Sequence, residues 1–213
     1  MRLPEVDLDA IADLCDRQWA TANGGDLTYS IAVPKWQFLH YLVERRGLLL
    51  HGSQTPGIDL LEPRSRSWGG GRVAGQPGVF AVDHALFAIY FGIIDKSRVP
   101  NMSNEISWQR RPDGQRERCF ILSINGIALA DRPFCNSTIY VLPPDTFKKS
   151  GELTSVVPVR PLARLAISPS DFPLLDRLWG SDLGPLSFQF GDRFPFLRDV
   201  GSWPTKTLDG RDG

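Results

Sequence analysis

Hydrophobic residues near the N-terminus recur at the spacing of two amphipathic helices. The apolar positions of residues 5–20 fall on one helical face. A second helix is predicted to begin at Pro34, because the first helical turn does not use the N–H group that proline lacks, and to end at Gly47. Its apolar residues lie near one stripe: Trp36, Leu39, Leu42 and Val43. We expect this stripe to pack inward, against the strand that follows.

Short apolar runs bounded by turn residues predict strands in the rest of the chain. A buried strand ends on His51-Gly52-Ser53, and a later strand leads into a helix over 83–95 that Asp83 is placed to cap. The predicted strands cover residues 47–53, 78–82, 116–129, 137–143 and 152–168. The pattern predicts an α+β fold in which mostly antiparallel strands surround a cleft, with the 83–95 helix beside it.

The chain is predicted to be one domain with a short tail. The domain spans 1–204, with N-terminal helices at 5–46, a core at 47–172 and an irregular C-terminal tail at 180–204, and residues 205–213 are predicted to be disordered. Residues 54–77 are rich in Gly, Pro, Arg and Ser and form a long predicted loop. Loops of that length are more often functional than merely connective.

Composition narrows the function classes without naming one. Hydrophobic residues make up 42% of the chain and charged residues 23%, as in ordinary globular proteins. Lys+Arg and Asp+Glu are both 24, so no overall field favours nucleic acid or an anionic membrane. The three cysteines contain no Cys-x-x-Cys pair, which argues against a disulfide framework or a zinc site. We expect a cytoplasmic protein that holds no metal and binds no membrane.

Three positions carry candidate chemistry, and each also has a plainer structural interpretation. His51 can hydrogen-bond a sugar hydroxyl while the Gly52 backbone pairs with a planar amide, or the two are a strand-end histidine and a turn glycine. Tyr90 can stack on a flat ring, or it is a core aromatic residue of an apolar helix. Glu152 begins a predicted strand that continues through Val159. Its carboxylate can stabilise a cationic sugar, or it is a solvated charge at a strand start.

The order of these blocks resembles the ADP-ribosyltransferase superfamily. A strand ends in the letters HGS, the strand GVFA leads into a helix that contains A-x-Y, and a strand-borne Glu152 follows. The chain is similar to the His-Tyr-Glu branch, which includes poly-ADP-ribose polymerases and diphtheria-type toxins, and to bacterial proteins with an LLLHGS…VFA…YVLP…E pattern. The matched blocks span roughly residues 36–172. The resemblance implies a split β-sandwich of two small, mostly antiparallel sheets around a cleft that binds NAD.

The resemblance also implies a role for each matched residue. His51 would bind a ribose of NAD as part of the catalytic set, Gly52 would hold the nicotinamide carboxamide through its backbone, and Ser53 would assist at the same amide. Tyr90 would stack on the nicotinamide ring. Glu152 would be the catalytic glutamate.

Two further positions complete the expected NAD site. The family's first tyrosine, on the second strand, falls at Val79 or Phe80, so one face of the nicotinamide sandwich lacks its hydroxyl. Arg64 lies in the long loop, where its guanidinium can clamp the pyrophosphate of NAD through two hydrogen bonds or remain a solvated charge.

The resemblance implies an NAD-dependent ADP-ribosyltransferase that cleaves the nicotinamide–ribose bond and transfers ADP-ribose to a protein or nucleic-acid acceptor. A toxin or defence effector of this kind would have an antitoxin or immunity partner. One alternative is an RNA 2′-phosphotransferase of the same fold, for which Arg64, Arg66 and Arg160 are candidate phosphate ligands. Another is an inactive module that binds a nucleotide or a protein, an interpretation that the missing strand tyrosine keeps open.

Overall fold

The computed structural model describes the backbone of residues 6–65, 67–68, 71–72, 76–99, 102–110, 114, 116–125, 128, 131–150 and 152–181. Contacts divide the chain into Met1–Asp182 and Leu183–Gly213, and the described residues all belong to the first unit. Its fold is α+β, with α-helices packed against small antiparallel sheets. The expected tail beyond residue 181 and the expected disorder at 205–213 lie outside the described residues.

The two N-terminal helices confirm the periodicity of the sequence. Helix α1 spans Leu8–Trp19 and begins at Asp7, whose carboxylate accepts the N–H groups of the first turn. Helix α2 spans Lys35–Arg46 and ends at Gly47, which has a φ of 63° that favours glycine. The predicted stripe of α2 is buried in the same apolar cluster as the strand that follows: Trp36, Leu39, Leu42, Val43, Leu48 and Leu50.

The remaining elements lie within the expected core of residues 47–172, except for the last strand and the second of two short 3₁₀ turns, which follow it. They are β1 (Leu49–Ser53), β2 (Ser67–Trp68), β3 (Gly71–Arg72), β4 (Val79–Ala81), α3 (Ala85–Ile93), β5 (Met102–Arg110), β6 (Arg116–Asn125), β7 (Ser137–Leu142), β8 (Lys148–Ser150), β9 (Glu152–Ser155), β10 (Ala163–Ile167) and β11 (Trp179–Ser181). Two short 3₁₀ turns, Pro169–Asp171 and Leu175–Arg177, follow β10. Among the described residues no helix has both the length and the apolar character needed to cross a membrane.

Two three-stranded antiparallel sheets position the candidate site. One has the order β1-β7-β10 and the other β4-β9-β8. The two sheets are joined where the backbones of Leu50 and Val82 exchange two hydrogen bonds of 2.9 Å. Beyond this bridge the two strands pair elsewhere, β1 with β7 and β4 with β9, and we call the region between Gly52 of β1 and Phe80 of β4 the notch. A separate sheet contains β5 and β6, which are antiparallel, and β11, which runs parallel to β6.

Three local expectations were wrong or incomplete. The expected strand from Glu152 to Val159 stops at Ser155, because the Ser155 hydroxyl donates to the Val157 carbonyl and accepts from the Val157 N–H, which turns the chain. The strand that pairs with β6 over 102–110 was not anticipated.

The start of α3 also differs from the expectation. Its N-cap is His84 rather than Asp83, and the Asp83 carboxylate instead lies 3.6 Å from the Lys149 ammonium. Both side chains of this pair are largely exposed, so it contributes little to stability.

Candidate functional site

The backbone of Gly52 faces the notch between the two sheets. Leu50 directs both its N–H and its C=O at Val82. In a β-strand, alternate residues direct these groups to the same side, so Gly52 directs its own N–H and C=O towards the edge that β4 has left. A donor and an acceptor are therefore placed side by side at the mouth of the notch.

Close helix packing explains why this position is glycine. A Cβ atom on Gly52 would lie 2.2 Å from the Ala88 carbonyl oxygen and 2.8 Å from the Gly92 nitrogen, both in the backbone of α3. A helix backbone cannot yield to such an overlap, so any side chain here would displace α3 from β1. The glycine of the HGS letters thus has a packing role in addition to any role towards a ligand.

His51 is held in one tautomer beside Gly52. Its Nδ1 lies 2.7 Å from the Phe80 carbonyl oxygen, which can only accept, so Nδ1 carries the proton and Nε2 of the neutral ring is an acceptor. Burial lowers the pKa of His51 below 6.5; the Phe80 carbonyl opposes this shift and the Lys96 ammonium adds to it. The partly exposed ring is therefore neutral at pH 7 and can accept a hydrogen bond from a hydroxyl.

Tyr90, the residue expected to stack on the nicotinamide ring, is buried in the core. Its side chain is fully buried, and its hydroxyl donates to the Ser123 carbonyl on β6 over 2.7 Å. Ala88 and Gly92 face β1, and Tyr90 lies about 200° around the helix from Ala88. The tyrosine is a core residue, with its ring centroid 6.3 Å from that of Phe172.

Phe91, one residue further along, lies on a different side of α3 from Tyr90. Gly92 would touch the Ser137 hydroxyl of β7 if it had a side chain, so the Gly92 side of α3 faces β7. Phe91 lies on the other side of Ala88, about 60° away, and therefore points towards the edge where β1 has no strand partner. Its ring is partly exposed, unlike that of Tyr90.

Three other expected site residues lie on or next to β1 and β4. Phe80 is partly exposed, pairs with Thr154 and supplies the carbonyl that anchors His51. Ser53 is partly exposed at the end of β1, and its hydroxyl accepts from the Thr55 N–H over 3.2 Å. Arg64 is exposed, and its backbone exchanges two hydrogen bonds of 3.1 Å with Gly78, next to β4.

The structure describes Glu152 through its backbone, and its side chain lies outside the described part. Glu152 is the first residue of β9, directly before Leu153, which pairs with Ala81 of β4. The strand that carries Glu152 therefore runs beside the strand that forms one side of the notch. Arg66 also lies outside the described residues, and Arg160 is exposed on the segment between β9 and β10.

Comparisons with protein-family models, with curated proteins and with solved structures found no match. The functional interpretation therefore depends on the geometry of the notch and on the chemistry of the residues that border it.

The partly buried, neutral His51 predicts a pH-dependent stability. Because the folded pKa lies below 6.5, the unfolded chain binds more protons between the two pKa values. The free energy of unfolding should therefore rise with pH through this window and fall as the solution is acidified. His51→Asn keeps an N–H near the Nδ1 position without a titrating ring, so it should flatten this slope in urea titrations between pH 5 and 7. A variant with the wild-type slope would contradict the assignment.

Proposed function

We propose that the chain is an NAD-dependent ADP-ribosyltransferase with a split β-sandwich fold, which cleaves the nicotinamide–ribose bond and transfers ADP-ribose to a protein or nucleic-acid acceptor. The proposal rests on the backbone N–H and C=O of Gly52. They lie beside the neutral His51, at the point where the two antiparallel sheets separate. A primary carboxamide has one acceptor oxygen and a donor NH₂ group. The N–H and C=O of Gly52 complement both, so this edge suits the carboxamide of nicotinamide.

Aromatic and polar residues near Gly52 suit the same binding mode of NAD. Phe80 and Phe91 are the partly exposed aromatic residues that we assign to the two faces of the nicotinamide ring. The Nε2 atom of His51 accepts a hydrogen bond from a ribose hydroxyl. Arg64, exposed at the base of β4, is the proposed partner of the pyrophosphate.

The proposed chemistry breaks the bond between C1′ of the ribose and the nicotinamide nitrogen. The bonding electron pair leaves with nicotinamide, which becomes neutral, and positive charge develops on the ribose. We assign Glu152 to the stabilisation of this charge, because a fixed carboxylate in a partly desolvated cleft acts more strongly than in water. An acceptor nucleophile then forms the new bond to C1′ and loses its proton. Water in place of the acceptor would give NAD hydrolysis.

Assigning the stacking role to Phe91 instead of Tyr90 predicts how two variants bind NAD. Phe91→Ala should weaken NAD binding by about 0.5–1.5 kcal/mol beyond the lost contact area, because one stacking surface is removed. Tyr90→Phe, the matched control, removes a buried hydroxyl on the far side of α3 and should leave NAD affinity unchanged. Calorimetric titration of both variants measures this. Wild-type NAD affinity of Phe91→Ala would contradict the assignment of the stacking role to Phe91.

Removing the charge of Glu152 tests the catalytic proposal. Glu152→Gln should lower nicotinamide release by a hundredfold or more at nearly unchanged NAD affinity, since loss of one preorganised electrostatic group costs about 2.7–4 kcal/mol of barrier. The measurement is single-turnover release of labelled nicotinamide, with Glu44→Gln on α2 as the matched control.

Three outcomes would contradict this proposal in different ways. Equal rates in Glu152→Gln and wild type would remove Glu152 from catalysis. A wild-type chain that binds NAD but releases no nicotinamide with water, protein or nucleic acid would favour a binding module. Release that requires a 2′-phosphorylated RNA would favour the RNA 2′-phosphotransferase.

A further inference from the structure

A row of polar side chains crosses the sheet β1-β7-β10 on the face that carries His51. Tyr140 pairs with His51 in the register of β1 and β7, and Arg164 pairs with Tyr140 in the register of β7 and β10. Directly paired residues of adjacent strands project from the same face of a sheet. The ring centroids of His51 and Tyr140 are 6.3 Å apart. The sequence pattern assigned no function to Tyr140 or Arg164.

The hydroxyl of Tyr140 holds the segment that follows β1. It donates to the Thr55 carbonyl over 2.6 Å and accepts from the Ile58 N–H over 3.1 Å. Tyr140 is fully buried, and burial raises its pKa, so the hydroxyl remains protonated and keeps donating. One phenol therefore satisfies two backbone groups of a segment that is otherwise at the surface.

Arg164 holds the same segment a few residues later. Its Nη1 lies 2.6 Å from the Asp59 carboxylate, and its Nε lies 2.8 Å from the Asp26 carboxylate. The arginine side chain is 13% exposed, whereas the Asp59 and Asp26 side chains are 78% and 81% exposed. The guanidinium thus extends from the sheet face and connects two surface loops.

The segment 54–61 is attached to the protein at its two ends as well. The Gln54 side-chain amide donates to the Ile94 carbonyl, and the Leu61 backbone exchanges two hydrogen bonds of 2.9 Å with Val159. Between these ends most residues are exposed, and Gly57 has a φ of 69°. The bonds from Tyr140 and Arg164 therefore fix the middle of a segment with little apolar burial of its own.

We propose that Tyr140 and Arg164 are positioning residues that fasten segment 54–61 beside His51, so that this segment forms a fixed wall for the ADP-ribose half of NAD. The inference rests on the proposed function, which places nicotinamide at Gly52 and a ribose hydroxyl at His51. A ligand that continues from His51 along its face of the sheet meets segment 54–61, which the buried Tyr140 holds in place. A wall that is already ordered spares the ligand the cost of ordering it on binding.

Two variants and one matched control test the wall. Asp59→Asn removes the carboxylate of the segment, and Tyr140→Phe removes the hydroxyl but keeps the ring beside His51. Asp26→Asn, the control, makes the same charge change at the other end of Arg164. Asp59 and Asp26 are both largely exposed, so these two variants should fold even if Tyr140→Phe does not.

The measurement is separate calorimetric titration of each protein with ADP-ribose and with nicotinamide. Asp59→Asn and Tyr140→Phe should bind ADP-ribose about tenfold more weakly, a factor that corresponds to about 1.4 kcal/mol, and should bind nicotinamide as the wild type does. Asp26→Asn should bind both ligands normally. Loss of a negative charge would by itself favour the anionic ADP-ribose, so weaker binding by Asp59→Asn cannot come from charge alone. Amide exchange at Ile58 should be faster in the two wall variants.

Two results would overturn the inference while the proposed function stands. One is wild-type affinity of Asp59→Asn for ADP-ribose. The other is an equal loss of nicotinamide and ADP-ribose binding in the wall variants, which would indicate a general structural role. A wild-type chain that binds neither ligand would overturn the proposed function, and the inference with it.

Discussion

Two hydrogen bonds between Leu50 and Val82 set the geometry of the candidate site. They join the two three-stranded sheets at one position, and the strands then take different partners. If the pairing of β1 and β4 continued past Leu50, the N–H and C=O of Gly52 would form hydrogen bonds inside a sheet, as most buried backbone groups do. Because it stops at this bridge, one donor and one acceptor of the backbone face the notch, and the Phe80 carbonyl is left within reach of His51.

Gly52 determines how α3 packs on β1, in addition to presenting its backbone groups at the edge of β1. Because Gly52 has no side chain, the backbone of α3 can approach β1. This contact fixes the rotation of α3 about its own axis. The rotation in turn decides which aromatic residue of α3 points at the edge and which is buried in the core. A single small residue therefore links the packing of α3 to the composition of the notch.

The sequence predicts the elements that depend on a local pattern of residues. Helices α1 and α2 follow from periodicity, and the end of α2 follows from Gly47, which adopts a positive φ. The choice between Tyr90 and Phe91 could not be made from the sequence, because α3 is apolar on every side and its orientation is set by the contact with Gly52. The significance of Tyr140 was hidden for a similar reason, since its hydroxyl acts on backbone groups of a segment distant in the chain.

The most direct test of the account is a crystal structure of the chain with a non-hydrolysable NAD analogue. We expect the carboxamide to form hydrogen bonds with the N–H and C=O of Gly52, with the ring between Phe80 and Phe91 and a ribose hydroxyl at Nε2 of His51. A dinucleotide bound elsewhere on the protein, or one whose carboxamide lies away from Gly52, would contradict it.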